Sequence, residues 1–218
     1  MKEYPPILRS VKLFGGIDAT GLDSMLDCVD ARTRAYRKGR IILLAGDKPQ
    51  HIGIVLNGQL HIVREDYDGN RSLIAVLAPG DIFAEALCFA AVEESPVTVI
   101  AEQDSSVLLL SYERIINTCP NSCSFHREFI RNMLELIAVK NLRLQSHMEI
   151  LSLKSIRAKV MLFFESFAAK RGREITIPLN REEMADYLCV ERSALSHELA
   201  RMKRDGLIEY KKNRFLLK

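Results

Sequence analysis

Glycine-containing turns recur at 46, 58, 69 and 80, and then, from about residue 120 to residue 150, neither glycine nor proline occurs. That contrast divides the chain. Before it, short apolar segments rich in Val, Ile and Leu follow one another: Ile41–Leu44, Gly53–Leu56, Leu60–Val63, Leu73–Leu77, Val97–Ala101 and Val107–Leu110. The turns between them are Lys38-Gly39, Ala45-Gly46-Asp47, Asn57-Gly58, Asp68-Gly69-Asn70 and Pro79-Gly80-Asp81. Strand-length segments at this spacing predict an all-β roll, barrel or sandwich from about residue 30 to 112.

At Cys119-Pro120 the pattern becomes helical. Proline suits a first helical position, where its missing N–H has no intrahelical partner. Ile130, Met133, Ile137, Leu144 and Leu151 then fall on one 3-4 heptad seam, with Lys140 and His147 in the remaining slots. A helix of about 30 residues is about 45 Å long, more than one face of a small barrel covers. Packing against a second copy, as a parallel two-helix seam of a homodimer, is the economical expectation. The plainer alternative is a helix lying on its own β domain, with His147 a packed core histidine.

A second helix is predicted over 153–169, with Ile156, Val160, Phe163, Phe164 and Phe167 as its apolar face and Gly172 as its stop. A short strand, Ile175–Leu179, follows. Asn180 then caps a helix starting at Arg181, with Glu183 at the reciprocal capping-box position. That helix runs to about Leu188. A tight turn at Cys189-Val190-Glu191 leads to another helix, Arg192–Arg204, ended by Gly206. The tail LIEYKKNRFLLK reads as a β-hairpin turning at Lys212-Asn213.

Helix, three-residue turn, helix and hairpin make a winged helix-turn-helix. Met184, Ala185 and Leu188 supply the inner face of the first helix, and Leu195, Leu199 and Met202 that of the second. The outward positions of the second helix are Arg192, Ser193, Ser196 and His197, the candidate contacts to base edges in the major groove. Arg181, Arg201, Lys203, Arg204, Lys211, Lys212 and Arg214 are candidate phosphate contacts, adding affinity without direct sequence readout.

Charge agrees with this division. The 218 residues carry a net charge of only +3. Residues 1–125 hold 12 Lys/Arg against 16 Asp/Glu, residues 126–150 hold 4 against 3, and residues 151–218 hold 15 against 9. The last third is thus +6 and points to an acidic partner, double-stranded DNA first. No apolar run reaches about 18 residues without a charge, so no membrane span is expected. The start MKEYPPILRSVKLF lacks a secretory apolar stretch, so a cytoplasmic protein is expected. Five cysteines in such a chain read as reduced thiols rather than a disulfide framework.

With a β-roll in front, a long helix in the middle and this motif behind, the sequence resembles the Crp/Fnr family. The residues that carry the resemblance are YRKGRIILLAGD (Tyr36–Asp47), VLNGQL (Val55–Leu60), LAPGDIFAEALCF (Leu77–Phe89) and the winged-helix segment. The resemblance implies an α+β chain: a cyclic-nucleotide-binding-like β-roll over 1–118, a dimerisation helix over 119–150 and a winged helix-turn-helix over 151–218. It implies a homodimeric regulator that senses a small signal in the roll and, as an activator, meets RNA polymerase.

The departures from the family pattern concern the effector. In cyclic-nucleotide-binding members, Pro-Gly-Asp is followed by phenylalanine, any residue, Gly-Glu, and an Arg-Ser pair about ten residues on. Here Phe83, Glu85 and Ala86 form the corresponding pocket candidates, but Ala84 replaces the glycine and Ser95-Pro96 replaces Arg-Ser. No Lys or Arg lies between Arg71 and Arg114. A buried phosphate without a cation is costly, so cyclic AMP is not the expected effector. Residues 1–27 contain no cysteine, so no iron–sulfur cluster is expected. Haem stays open through His51, His61, His126 or a methionine. Cys119, Cys123 and His126 share one helical face and suggest a thiol switch or metal site, against packed thiols as the simpler expectation.

In many relatives the recognition helix carries Glu-x-x-Ser-Arg, where this chain has Ser193, Ala194, Leu195, Ser196 and His197. An operator different from the family's standard sites is therefore expected. The chain has no phosphate-cradling glycine loop, no H-E-x-x-H and no nucleophile elbow, so an enzyme is not expected. The alternatives are a nucleotide-binding module without a DNA role, a haem- or redox-dependent regulator of the same family, and a constitutive architectural DNA-binding protein.

Overall fold

The computed structural model describes residues 5–66, 68–69, 71–117, 124–171 and 173–218. The chain divides into two compact units, Met1–Ala138 and Val139–Lys218.

The first unit opens with two 3-10 turns, Pro6–Ser10 and Lys12–Phe14, and helix α1 (Ala19–Cys28), whose N-cap Asp18 accepts from the Gly21 amide at 2.7 Å. Eight strands follow: β1 (Arg32–Tyr36), β2 (Ile41–Leu43), β3 (His51–Asn57), β4 (Leu60–Glu65), β5 (Arg71–Leu77), β6 (Ile82–Phe83), β7 (Thr98–Ala101) and β8 (Ser105–Ser111). Helix α2 (Glu85–Phe89) lies between β6 and β7, and α3 (Tyr112–Ile116) follows β8. The strands form two antiparallel four-stranded sheets, ordered β1-β8-β3-β6 and β2-β7-β4-β5.

Alternation along β3 and β8 explains the packing. Side chains point to opposite faces with period 2. Ile52, Ile54 and Leu56, with Leu108 and Leu110, pack with Leu8, Leu26 and Phe129 in one core. Val55, Val107 and Leu109 face the other way, onto Leu60, Leu77, Phe83 and Val99. Both strands are therefore buried on both faces and read as continuous apolar runs. Full burial of each such side chain is worth about 1.5–3 kcal/mol. Gly53 is needed on β3 because a Cβ there would lie 2.0 Å from the Phe83 ring. Gly58, with φ +89°, turns β3 into β4 with Ser105 close against it.

Two features depart from the expected pattern, and one expectation lies outside the described residues. Strand β1, RTRAY, shows no apolar alternation because it is mostly exposed, and its pairing with β8 over Arg32↔Leu109 to Tyr36↔Ser105 is what makes it a strand. Cys119, Pro120 and Cys123 lie outside the described residues. The long helix, α4, spans Ser124–Ser152, 29 residues, and Met133 of the expected seam is not open to a partner. Met133 is 1% exposed and belongs with Phe129 to the core of the first unit. The exposed apolar positions of α4 include Leu134 (61%), Leu144 (64%) and Met148 (69%). Of the other expected seam residues, Ile130 and Ile137 are half-buried.

The second unit contains α5 (Ile156–Arg171), β9 (Glu174–Thr176), α6 (Arg181–Leu188), α7 (Arg192–Arg204), β10 (Ile208–Lys211) and β11 (Arg214–Leu217), with sheet order β10-β11-β9. Helix α5 starts three residues later than the sequence predicts, because the Ser155 hydroxyl caps it by accepting from the Ala158 amide at 3.1 Å. Strand β9 is likewise shorter than the expected 175–179 segment. The core joins Val160, Phe163 and Phe164 of α5 to the inner faces of α6 and α7 and to Phe215, whose ring centroid lies 4.4 Å from that of Phe164. His147, as a packed histidine, stacks on Tyr187 at 4.1 Å and hydrogen-bonds its carbonyl oxygen through Nε2 at 2.7 Å. Among the described residues, no helix is long and apolar enough to cross a membrane.

Candidate nucleic-acid interface

The interface begins at Asn180. Its side chain accepts from the amides of Glu182 and Glu183 at 2.9 and 3.0 Å, and the Asn180 amide in turn donates to the Glu183 carboxylate at 2.7 Å. This capping box starts α6 where the sequence predicts. Asn180→Ala removes the acceptor and is expected to cost about 1 kcal/mol, seen as a lower thermal midpoint of the C-terminal unit by calorimetry.

Helix α6 ends at Cys189, an exposed residue in the left-handed conformation with φ +49°. Glycine occupies this conformation without the Cβ penalty. Cys189→Gly is expected to stabilise the protein by up to about 1 kcal/mol, net of the entropy lost with glycine. A lower thermal midpoint in that variant would show that Cys189 makes a compensating contact.

Glu191 then caps α7, a role the sequence reading did not assign. Its carboxylate accepts from the Ser193 and Ala194 amides at 2.9 and 2.8 Å and from the Ser193 hydroxyl. Those hydrogen bonds, the Ser193 hydroxyl foremost, hold its carboxyl below the usual glutamate range. Glu191 is outside the usual set of Ser, Thr, Asp and Asn caps, so the sequence carries no capping signal at this position.

Leu195, Leu199 and Met202 anchor α7 in the core, together with Met184, Ala185 and Leu188 of α6, as expected. Arg157 of α5 holds α7 at two points, with Nε 2.6 Å from Glu198 and Nη2 2.7 Å from Asp205. The opposite face of α7 is open. Glu191, Arg192, Ser193, Ser196, His197 and Ala200 line a shallow surface concavity. Two of the four expected base readers already use their hydroxyls as donors: Ser193 to Glu191, and Ser196 to the Arg192 carbonyl at 3.0 Å. The side chains of Arg192 and His197 make no hydrogen bond or ion pair among the described residues, and both residues are exposed.

The expected phosphate contacts divide as well. Arg204, Lys211 and Lys212 are exposed, with Lys212 at the wing turn. Lys203 sits over the Tyr210 ring at 5.4 Å, Arg201 lies 3.7 Å from Glu198, and Arg214 pairs with Glu174. Arg181 departs from expectation. It is half-buried, donates to the Lys212 carbonyl at 3.0 Å and lies over the Tyr210 and Phe215 rings at 5.2 and 4.9 Å. Burial lowers its pKa from the ordinary arginine value. Its Nη1 is buried without a hydrogen-bond partner among the described residues. Arg181 therefore ties the start of α6 to the wing.

In the first unit, the expected effector residues occupy β6, α2 and the following loop. Phe83 is core, against Gly53. Glu85 is 5% exposed and Ala86 is exposed, at the start of α2 after the left-handed Ala84 (φ +63°). Ser95 is 3% exposed, its hydroxyl donates to the Val97 carbonyl at 2.7 Å, and its backbone pairs with Gly46 and Asp47. Pro96 is exposed. Of the histidines, His126 is buried with both ring nitrogens engaged, and His61 lies 3.6 Å from Glu102.

Two domain families match the chain. Residues 33–122 match the cyclic nucleotide-binding domain family, and residues 158–218 match the Crp-like helix-turn-helix domain family. The transcriptional activator protein FnrL of Cereibacter sphaeroides is 24% identical over 84% of this chain and 75% of its own length. The Thermus thermophilus catabolite activator protein shares the fold with TM-score 0.56 at 21% identity, covering 95% of this chain and 93% of that one. The DNR protein of Pseudomonas aeruginosa does so with TM-score 0.53 at 16% identity, covering 100% and 96%.

A cyclic-nucleotide-binding-type roll in one chain with a Crp-like winged helix defines a DNA-binding transcription regulator and not an enzyme. The chain belongs to the Crp/Fnr family.

Proposed function

We propose that the protein is a homodimeric, sequence-specific regulator that reads the DNA major groove with α7 and answers to a small signal other than cyclic AMP. The carrying observation is the exposed side chains of Arg192 and His197, without a hydrogen bond or ion pair among the described residues, on a helix whose other face is locked into the core. Arg192 is built to contact a guanine edge bidentately, and His197 donates to a base or a phosphate. Lys203, Arg204, Lys211 and Lys212 follow the backbone. Selection from random duplexes with the purified protein tests this. The expected outcome is a two-fold symmetric site with half-sites about 34 Å apart that differs from the family's standard sites, and recovery of no preferred sequence removes the reading.

The dimer uses α4 in a corrected register. Ile130, Leu134, Ile137, Asn141, Leu144 and Met148 recur at spacings of four and three, the a/d pattern of a parallel pair. Three of these positions are apolar and more than 60% exposed in the single chain. The sensor boundary falls near residue 118 and the reader begins near residue 151, with α4 between. As an activator it would meet RNA polymerase, and as a chromosome-binding protein it works in the cytoplasm.

Two observations support an effector other than cyclic AMP. The segment between Arg71 and Arg114 offers no cation to a cyclic phosphate, and Ser95 spends its hydroxyl on the backbone. Calorimetric titration with cyclic AMP is expected to give no heat of binding at millimolar ligand, and saturable binding would overturn this part. A Soret band in the purified protein would make haem the effector.

A further inference from the structure

We propose that Cys28 and His126 form a hydroperoxide-reactive thiol site in the sensor domain. The two residues lie 98 positions apart in sequence, yet Sγ of Cys28 is 3.6 Å from Nδ1 of His126. The other ring nitrogen, Nε2, is 2.7 Å from the carbonyl oxygen of Ile115. A carbonyl only accepts, so Nε2 carries the proton and Nδ1 presents its lone pair to the thiol. This is a nucleophile, a base and a group that orients the base, the arrangement that activates a cysteine. His126 is 5% exposed, which fixes its ring, while Cys28 is only half-buried.

The chemistry balances with a hydroperoxide as the oxidant. The thiol proton passes to Nδ1, and sulfur attacks one peroxide oxygen. The O–O bond breaks and the S–O bond forms. Sulfur is oxidised by two electrons to the sulfenic acid, and the departing oxygen takes the proton from the imidazolium as water or an alcohol. The site joins the end of α1, α3 and the first turn of α4, so the added oxygen falls where the long helix begins.

The molecule supplies its own controls. Cys88 is buried and points toward the Pro49 carbonyl at 3.7 Å, and burial, with Glu85 nearby, pushes its pKa up to about 11. Cys189 is exposed at the helix-turn-helix turn. The full chain is treated with hydrogen peroxide in the presence of a dimedone-type trap, and adduct formation is followed at each cysteine by peptide mass mapping. Cys28 is expected to be labelled about tenfold or more faster than Cys88 or Cys189, and His126→Gln is expected to reduce its rate to that of Cys189. Labelling of Cys28 no faster than Cys189 in the unaltered protein overturns the proposal, as does an unchanged rate in a folded His126→Gln protein. The first comparison needs no variant, so it decides even if His126→Gln does not fold.

Discussion

Replacing Leu144 and Met148 together by Glu will turn the protein from a dimer into a monomer while leaving both compact units folded. Both side chains are largely exposed in the single chain, at 64% and 69%, so carboxylates there stay solvated and cost the monomer little. In a parallel pair the same positions would bring four carboxylates into one apolar seam, with a desolvation cost of several kcal/mol per ion and like-charge repulsion added. Sedimentation will read the change in mass, and calorimetry will show thermal midpoints close to those of the parent. Affinity for a two-half-site operator will fall by about 10²- to 10⁴-fold, because the second recognition helix is no longer delivered by linkage to the first. Met133→Ala separates the corrected register from the expected one. Met133 is already buried in the first unit, so its truncation costs about 2–5 kcal/mol of stability and leaves the folded fraction dimeric. A Leu144→Glu, Met148→Glu protein that remains a dimer would move the interface elsewhere.

The second large effect is on sequence reading. Arg192→Ala will weaken binding to the selected operator by about 1–3 kcal/mol, roughly 5- to 150-fold, and relax one base position in each half-site. The helix will stay in place, because the Arg192 side chain makes no hydrogen bond or ion pair among the described residues and the anchoring side chains lie on the other face. Lys212→Ala should behave differently. A lost phosphate contact weakens all duplexes alike and lowers the slope of log K against log salt by about one. Competition binding against a panel of single-base variants, repeated at two salt concentrations, distinguishes the two. An unchanged base preference in Arg192→Ala removes that residue from direct readout.

The winged helix was legible almost residue by residue. Its signals are local: a cap at Asn180, a turn at Cys189, a stop at Gly206 and two apolar stripes at helical spacing. The hairpins of the roll were legible for the same reason, since glycine turns and short Val/Ile/Leu runs carry their own geometry. Strand β1 was missed as a segment because an exposed edge strand lacks alternation, and α1 because its pattern is short. Glu191 was read as part of a turn, whereas its carboxylate caps the recognition helix. Arg181 was counted with the basic surface, and composition cannot distinguish a cation facing solvent from one lying over the Tyr210 and Phe215 rings.

The sequence by itself determined what depends on neighbours within a few positions: the order of elements, the division into an acidic front and a basic end, and the identity of the outward face of α7. Tertiary structure decided what depends on pairs far apart in the chain. The Cys28–His126 pair spans 98 positions. The Arg181–Lys212 link spans 31 positions. Met133 and Leu134 are adjacent and both apolar, yet one is 1% and the other 61% exposed. Helical periodicity defines a stripe, but which side of the stripe meets the protein's own core is set by the surface against which the helix folds.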